Sequence, residues 1–153
     1  MPPTPLLSCE SISKSYGVKP LFADLSLGIA EGDHIGLIGP NGSGKSTLLK
    51  ILAGLEEPDG GTRSVRRNLR IGYVPQEPSF PLERTVEEIL AQALLDNGLD
   101  PHEETGRIAH ALSLGEFPKA SQPANTLSGG WKKRLAIARS LLLEPDVLMM
   151  DEP

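Results

Sequence analysis

Nine residues, GPNGSGKST at positions 39 to 47, combine the side chains and flexibility needed to hold phosphate. Gly39 is followed after four residues by Gly44, Lys45 and Ser46, between an apolar run before the loop and a helix-like run after it. Gly39, Gly42 and Gly44, with Pro40, Asn41 and Ser43 between them, let successive backbone N–H groups turn inward. A helix starting near Lys45 would aim the positive end of its dipole at the same point. Lys45 is placed to reach the outer phosphates of a nucleotide, with Thr47 in the same stretch, and the Ser46 hydroxyl suits Mg²⁺. Far along the chain, the apolar stretch Val147–Met150 delivers Asp151 and Glu152 to the C-terminal end of an expected strand, where open α/β sheets bind ligands. Asp151 suits a metal held through water, and Glu152 suits polarising an attacking water, a role worth about 10²- to 10⁴-fold in rate. Taken alone, the two acids are equally well read as solvated side chains.

These residues need elements to position them, and 153 residues with 39% hydrophobic and 23% charged content suffice for one domain with a core. Aromatics supply only 4%, so Leu, Ile, Val and Ala must fill it. A net charge of −5 argues against a broad electrostatic footprint for nucleic acid. No apolar run approaches the roughly 20 residues of a membrane span, and residues 1–7 lack a signal-like pattern, so a cytoplasmic location is expected. Cys9 reads as core filler.

Residues 6–16 look weakly strand-like, and Ala23, Leu25, Leu27 and Ile29 alternate with polar or small residues as a half-buried strand does. Residues 34–38 read as a buried central strand, 46–53 as a helix stopped by Gly54, and 58–62 (PDGGT) as a turn. Leu69, Ile71 and Tyr73 alternate again. Thr85 and Glu88 form a capping box in front of Val86, Ile89, Leu90, Ala93 and Leu94, Asp100, Pro101 and Glu103 open a helix carrying Ile108, Ala111 and Leu112, and a third helix spans about 129–143 with Leu135, Ala138 and Leu142 inward. The expected fold is α/β, with strands flanking a helical insert at about 77–143.

The segment LSGGW at 127–131, followed by KKRLAIARSLLLEPDVLMMDEP, resembles the signature segment and Walker B strand of ATP-binding cassette (ABC) proteins, whose usual signature is LSGGQ. With GPNGSGKST before it and YVPQE between, three motifs stand in family order across nearly all of residues 6–153. The resemblance implies a P-loop NTPase cassette with a parallel core sheet, a small antiparallel β region and the helical insert. It implies ATP and Mg²⁺ as ligands and hydrolysis in a head-to-tail pair of cassettes. By the same resemblance Tyr16 stacks on adenine, Gln76 contacts Mg²⁺ and the attacking water, and Ser128, Gly129 and Gly130 bind the γ-phosphate of ATP held by the partner. Tyr16 is otherwise a strand-edge aromatic and Gln76 a polar loop residue.

LSGGW before basic residues, and the opening LLSCESISKSYG, are similar to the soluble ABC-F branch, which acts on ribosomes or in resistance. The alternative is the ATPase subunit of a membrane transporter, and a third reading is a non-hydrolytic nucleotide-binding module. Little room for the long arm of many ABC-F proteins remains between Gln76 and Leu127. The family continues after Asp-Glu-Pro to a histidine, while His34, His102 and His110 all precede that point, so a single incomplete cassette, weak or inactive by itself, is expected. Lys132, Lys133 and Arg134 crowd the start of the third helix against its dipole, which predicts a negative group nearby, a partner's nucleotide or RNA, unless they splay into solvent.

Overall fold

The computed structural model describes residues 4–152. They fall into two compact units, one ending at Leu69 and one starting at Arg70.

The first unit is built on a three-stranded antiparallel sheet in the order β2-β1-β3, formed by β1 (Leu7–Tyr16), β2 (Lys19–Ile29) and β3 (Gly60–Val65). β1 lies in the middle and buries Leu7, Cys9 and Ile12. Burial pushes the Cys9 thiol above its ordinary range, as expected of a packed, inert cysteine. On β2, Leu25, Leu27 and Ile29 are half-buried between exposed neighbours. Ala23 is exposed instead, because Asp24 has a positive φ of 51° and the register shifts between Phe22 and Leu25.

The expected turn at 58–62 is only half present, since Gly60 already begins β3. Gly61 makes that possible. Its φ is +84°, and a Cβ there would lie 2.4 Å from the Ser11 carbonyl oxygen, where β1 bulges past β3. The helix α1 (Lys45–Ala53) buries Leu48, Ile51 and Leu52 and ends at Gly54, whose N–H bonds the Ile51 and Lys50 carbonyls. Arg63 closes the same end, its Nε and Nη2 donating to the Leu52 carbonyl at 2.9 and 2.7 Å.

Residues 34–38 correct the sequence reading. They form no strand, and Ile35 and Ile38 are 54% and 99% exposed. An apolar run becomes a buried strand only when another strand takes up its backbone groups, and none does so among the described residues.

In the second unit β4 (Ile71–Val74) pairs in parallel with β5 (Val147–Met150), in register from Ile71 opposite Val147 to Val74 opposite Met150. Between them in sequence lie α2 (Val86–Asp96), α3 (Thr105–Gly115) and α4 (Gly129–Leu142). The capping box is present: Glu88 N–H donates to Thr85 Oγ1 and Thr85 N–H to Glu88 Oε2. Helix α3 starts later than Asp100 suggests, because residues 101–104 form a turn in which the Asp100 carboxylate accepts from His102 N–H and its carbonyl from Glu103 and Glu104. Leu90, Leu94, Ile108, Ala111, Leu135, Ala138 and Leu142 pack into one core, so the inward faces read from the helical period are the buried ones.

Candidate active site

In the first unit the glycine loop runs from residue 39 into α1. Gly44 caps the helix in the left-handed region, with φ 97°, and its carbonyl accepts the Leu48 N–H at 2.8 Å. A Cβ on Gly44 would lie 3.2 Å from the Phe22 ring and 3.3 Å from Leu21 Cβ, so a side chain is strained by the backbone and would make the neighbours shift by a few tenths of an ångström. Gly42 also has a positive φ, 78°, and a Cβ on Gly39 would lie 2.9 Å from Ser43 Oγ. Pro40 and Asn41 form the exposed crest, and the Pro40 carbonyl accepts the Ser43 N–H at 3.2 Å. Lys45 Nζ curls over this crest and donates to the Gly39 and Pro40 carbonyls at 2.8 and 3.1 Å. Ser46 and Thr47 follow in the first turn of α1, both half-buried. The loop is therefore a backbone cradle at a helix N-terminus with its lysine already folded across it, a shape suited to anionic oxygens.

Tyr16 ends β1 and is 55% exposed. Its hydroxyl donates to Glu56 Oε1 at 2.5 Å, and Lys14 Nζ lies 5.7 Å from the ring centroid. The Tyr16 hydrogen bond, followed by Lys14, holds the Glu56 carboxyl below its ordinary range. These contacts fix the rim of the ring and leave much of its surface open to a flat partner.

The second unit gathers the residues expected from sequence to handle water. Gln76 follows β4, Glu152 follows β5, and Gln76 Nε2 donates to Glu152 Oε2 at 2.7 Å across a sequence separation of 76. Parallel pairing of β4 with β5 brings both strands to the same end, which makes that contact possible. Glu152 adopts a left-handed φ of 49°, uncommon for a residue with a side chain. Asp151 is buried, its N–H donates to the Val74 carbonyl at 2.9 Å, and Tyr73 hydroxyl reaches Asp151 Oδ2 in a long contact of 3.5 Å. Burial first, and then the Asp151 charge, pushes the Tyr73 phenol above its ordinary value. The alternation of residues 69–73 puts Tyr73 in a strand but carries no sign of this partner.

Ser128 caps α4, accepting the Trp131 N–H on Oγ at 3.5 Å and the Lys132 N–H on its carbonyl at 2.9 Å. A Cβ on Gly129 or Gly130 would meet nothing within 4 Å, so packing inside this unit does not demand glycine at either position. In the basic run that follows, Lys132 and Lys133 are half-buried and Arg134 is exposed. Lys133 Nζ donates to the carbonyls of Pro75, Gln76 and Asp151 at 2.9, 3.1 and 2.8 Å. Arg134 pairs with Glu116 at 2.9 Å and lies 4.9 Å from the Trp131 ring. Lys133 thus finds acceptors and Arg134 a carboxylate within this unit, a third arrangement beside the outside anion and the solvent-splayed side chains weighed from sequence.

The metal donors expected from sequence are oxygens: the Ser46 hydroxyl, the Gln76 side-chain carbonyl and the Asp151 carboxylate. That is the hard donor set Mg²⁺ takes, and Mg²⁺ bound with a nucleotide draws most of its remaining ligands from phosphate and water. No group of three His, Cys, Asp or Glu able to hold a metal occurs among the described residues.

The profile of the family described as ABC transporter matches residues 22–153. The chain belongs to that family. Over 98% of its length the cassette is 38% identical to Nod factor export ATP-binding protein I of Ralstonia nicotianae, covering 50% of that protein. Over its full length it is 37% identical to the zinc import ATP-binding protein ZnuC of Hydrogenovibrio crunogenus, covering 62%. The cassette therefore spans about half to three fifths of these relatives. Among solved structures, it is similar to an ATP-binding cassette in a dimeric post-hydrolysis state bound to ADP and Pi, with a TM-score of 0.82 at 27% identity, covering 95% of this chain and 73% of that one. The fold is that of the P-loop NTPase cassettes, with the antiparallel sheet, the parallel strands and the helical block expected.

Proposed function

We propose that the protein binds Mg·ATP on residues 39–47 and hydrolyses it to ADP and phosphate, as the ATP-binding subunit of a membrane transporter. The observation that carries hydrolysis is the Gln76–Glu152 hydrogen bond at the shared end of β4 and β5. Glu152 accepts a proton from the attacking water, and Gln76 orients that carboxylate. Lys45 and the loop N–H groups hold the phosphates, Tyr16 stacks on the base, and Ser46, Gln76 and Asp151 are the oxygens offered to Mg²⁺. The metal supplies charge neutralisation at the phosphates. Packing leaves open space at Gly129 and Gly130, which supports a second cassette presenting its nucleotide to the N-terminus of α4, with Ser128 as a further donor.

The export and import names of the relatives favour the transporter reading over the ABC-F branch that LSGGW suggested. No helix among the described residues is long and apolar enough to cross a membrane.

Phosphate release by the purified full-length protein tests the first claim. Glu152→Gln is expected to keep ATP binding and lower turnover about 10²- to 10⁴-fold, whereas a parent protein that binds no ATP overturns it. In cells, the Glu152→Gln protein is expected in the membrane fraction with ATP. Its recovery with ribosomes would return the ABC-F reading.

A further inference from the structure

We propose that Lys133 is a positioning residue for the water-handling pair, holding Gln76 and Glu152 in mutual register through their backbones. Its ammonium has three protons, and three peptide carbonyls lie at 2.9, 3.1 and 2.8 Å, from Pro75, Gln76 and Asp151. The identity of these carbonyls matters. The Pro75 oxygen belongs to the peptide plane that enters Gln76, and the Asp151 oxygen to the plane that enters Glu152. One half-buried cation from α4 thus grips the backbone on which both side chains are mounted.

Lys133 is the fifth residue of α4, and these carbonyls supply it with charge-assisted bonds. The strand ladder alone does not extend this far, because β4 ends at Val74 and β5 at Met150. Beyond those residues the Asp151 N–H to Val74 bond and the Lys133 clamp carry the register to the pair. Any shift of the α4 N-terminus must therefore be felt at Gln76 and Glu152 together.

The inference rests on the hydrolytic reading, and its test separates the two. ATP turnover and ATP affinity are measured on the full-length parent, Glu152→Gln, Lys133→Met, Lys133→Gln and the Lys133→Met/Glu152→Gln double variant. Loss of alignment in a pair that must act within about 1 Å lowers kcat about 10- to 100-fold in Lys133→Met, with KM for ATP within threefold. Lys133→Gln retains two donors and falls between. In the Glu152→Gln background, removing Lys133 costs little more, because both changes act on one pair.

A parent whose rate is unaffected by Glu152→Gln overturns the hydrolytic reading. A Glu152-dependent parent whose Lys133→Met variant turns over within twofold of it overturns the positioning role. Additive losses in the double variant, a parallel fall in affinity and melting temperature, or failure of both Lys133 variants to fold also overturn it, in favour of a merely structural lysine.

Discussion

The two units hold their candidate site residues in different ways. In the first, the glycine loop is made of consecutive residues whose shape follows from their own backbone, with Gly42 and Gly44 in the left-handed region and Lys45 folded onto carbonyls five and six positions back. In the second, Gln76, Lys133, Asp151 and Glu152 are brought together by a parallel strand pair and a helix packed beside it, across separations of up to 76 residues. A local site should fail one residue at a time without disturbing the fold. An assembled site should fail when its scaffold loosens, even through residues far from it.

Core truncation gives the largest expected effect. Leu90 is fully buried in the helical core, and Leu90→Ala is expected to cost about 2–5 kcal/mol in thermal or denaturant unfolding. If that loss left Glu152-dependent turnover at moderate temperature untouched, the idea that the second site depends on its scaffold would be in trouble. Lys45→Ala is the local counterpart. It should weaken ATP binding about 100-fold, or ~2.7 kcal/mol, while the melting temperature stays within a degree or two, since its described contacts stay inside the loop. A large drop in melting temperature would show that the loop carries more of the fold than its geometry suggests.

Thr85→Ala removes the side-chain half of the α2 capping box and should cost about 1 kcal/mol, read by thermal melts. The smallest effect is a pH dependence from the same box. The Thr85 backbone N–H, then its hydroxyl, hold the Glu88 carboxyl below its ordinary value of 4.5. A depressed carboxylate contributes its stability above the unfolded value and loses it as pH falls through the folded one. The melting difference between the parent and Glu88→Gln should therefore be present at pH 7 and shrink below about pH 4.5, and a difference that grew in acid would reverse that assignment.

Much of the fold was legible. Periods of two and 3.6 residues marked β2, α2, α3 and α4, because each has one face in a core and one in solvent, and the side chains record that division. The strand at 34–38 was misread for the complementary reason: an apolar run reports a preference for burial but not whether a neighbouring backbone is there to pair with it. Gly60 and Gly61 were read as turn because glycine signals an unusual backbone without saying whether it serves a turn or a bulge opposite Ser11.

What the sequence determined by itself was the set of candidate side chains and the local shape of the glycine loop, because spacing within nine residues is enough to fix backbone geometry. Only the tertiary structure decided that Gln76 meets Glu152, that Tyr73 faces Asp151, and that Lys133 turns inward to three carbonyls instead of outward to an anion. Those outcomes depend on the register of β4 against β5 and on the seating of α4. That register joins residues as far apart as Ile71 and Val147, and a slip of one position would turn every side chain of the strand to its other face.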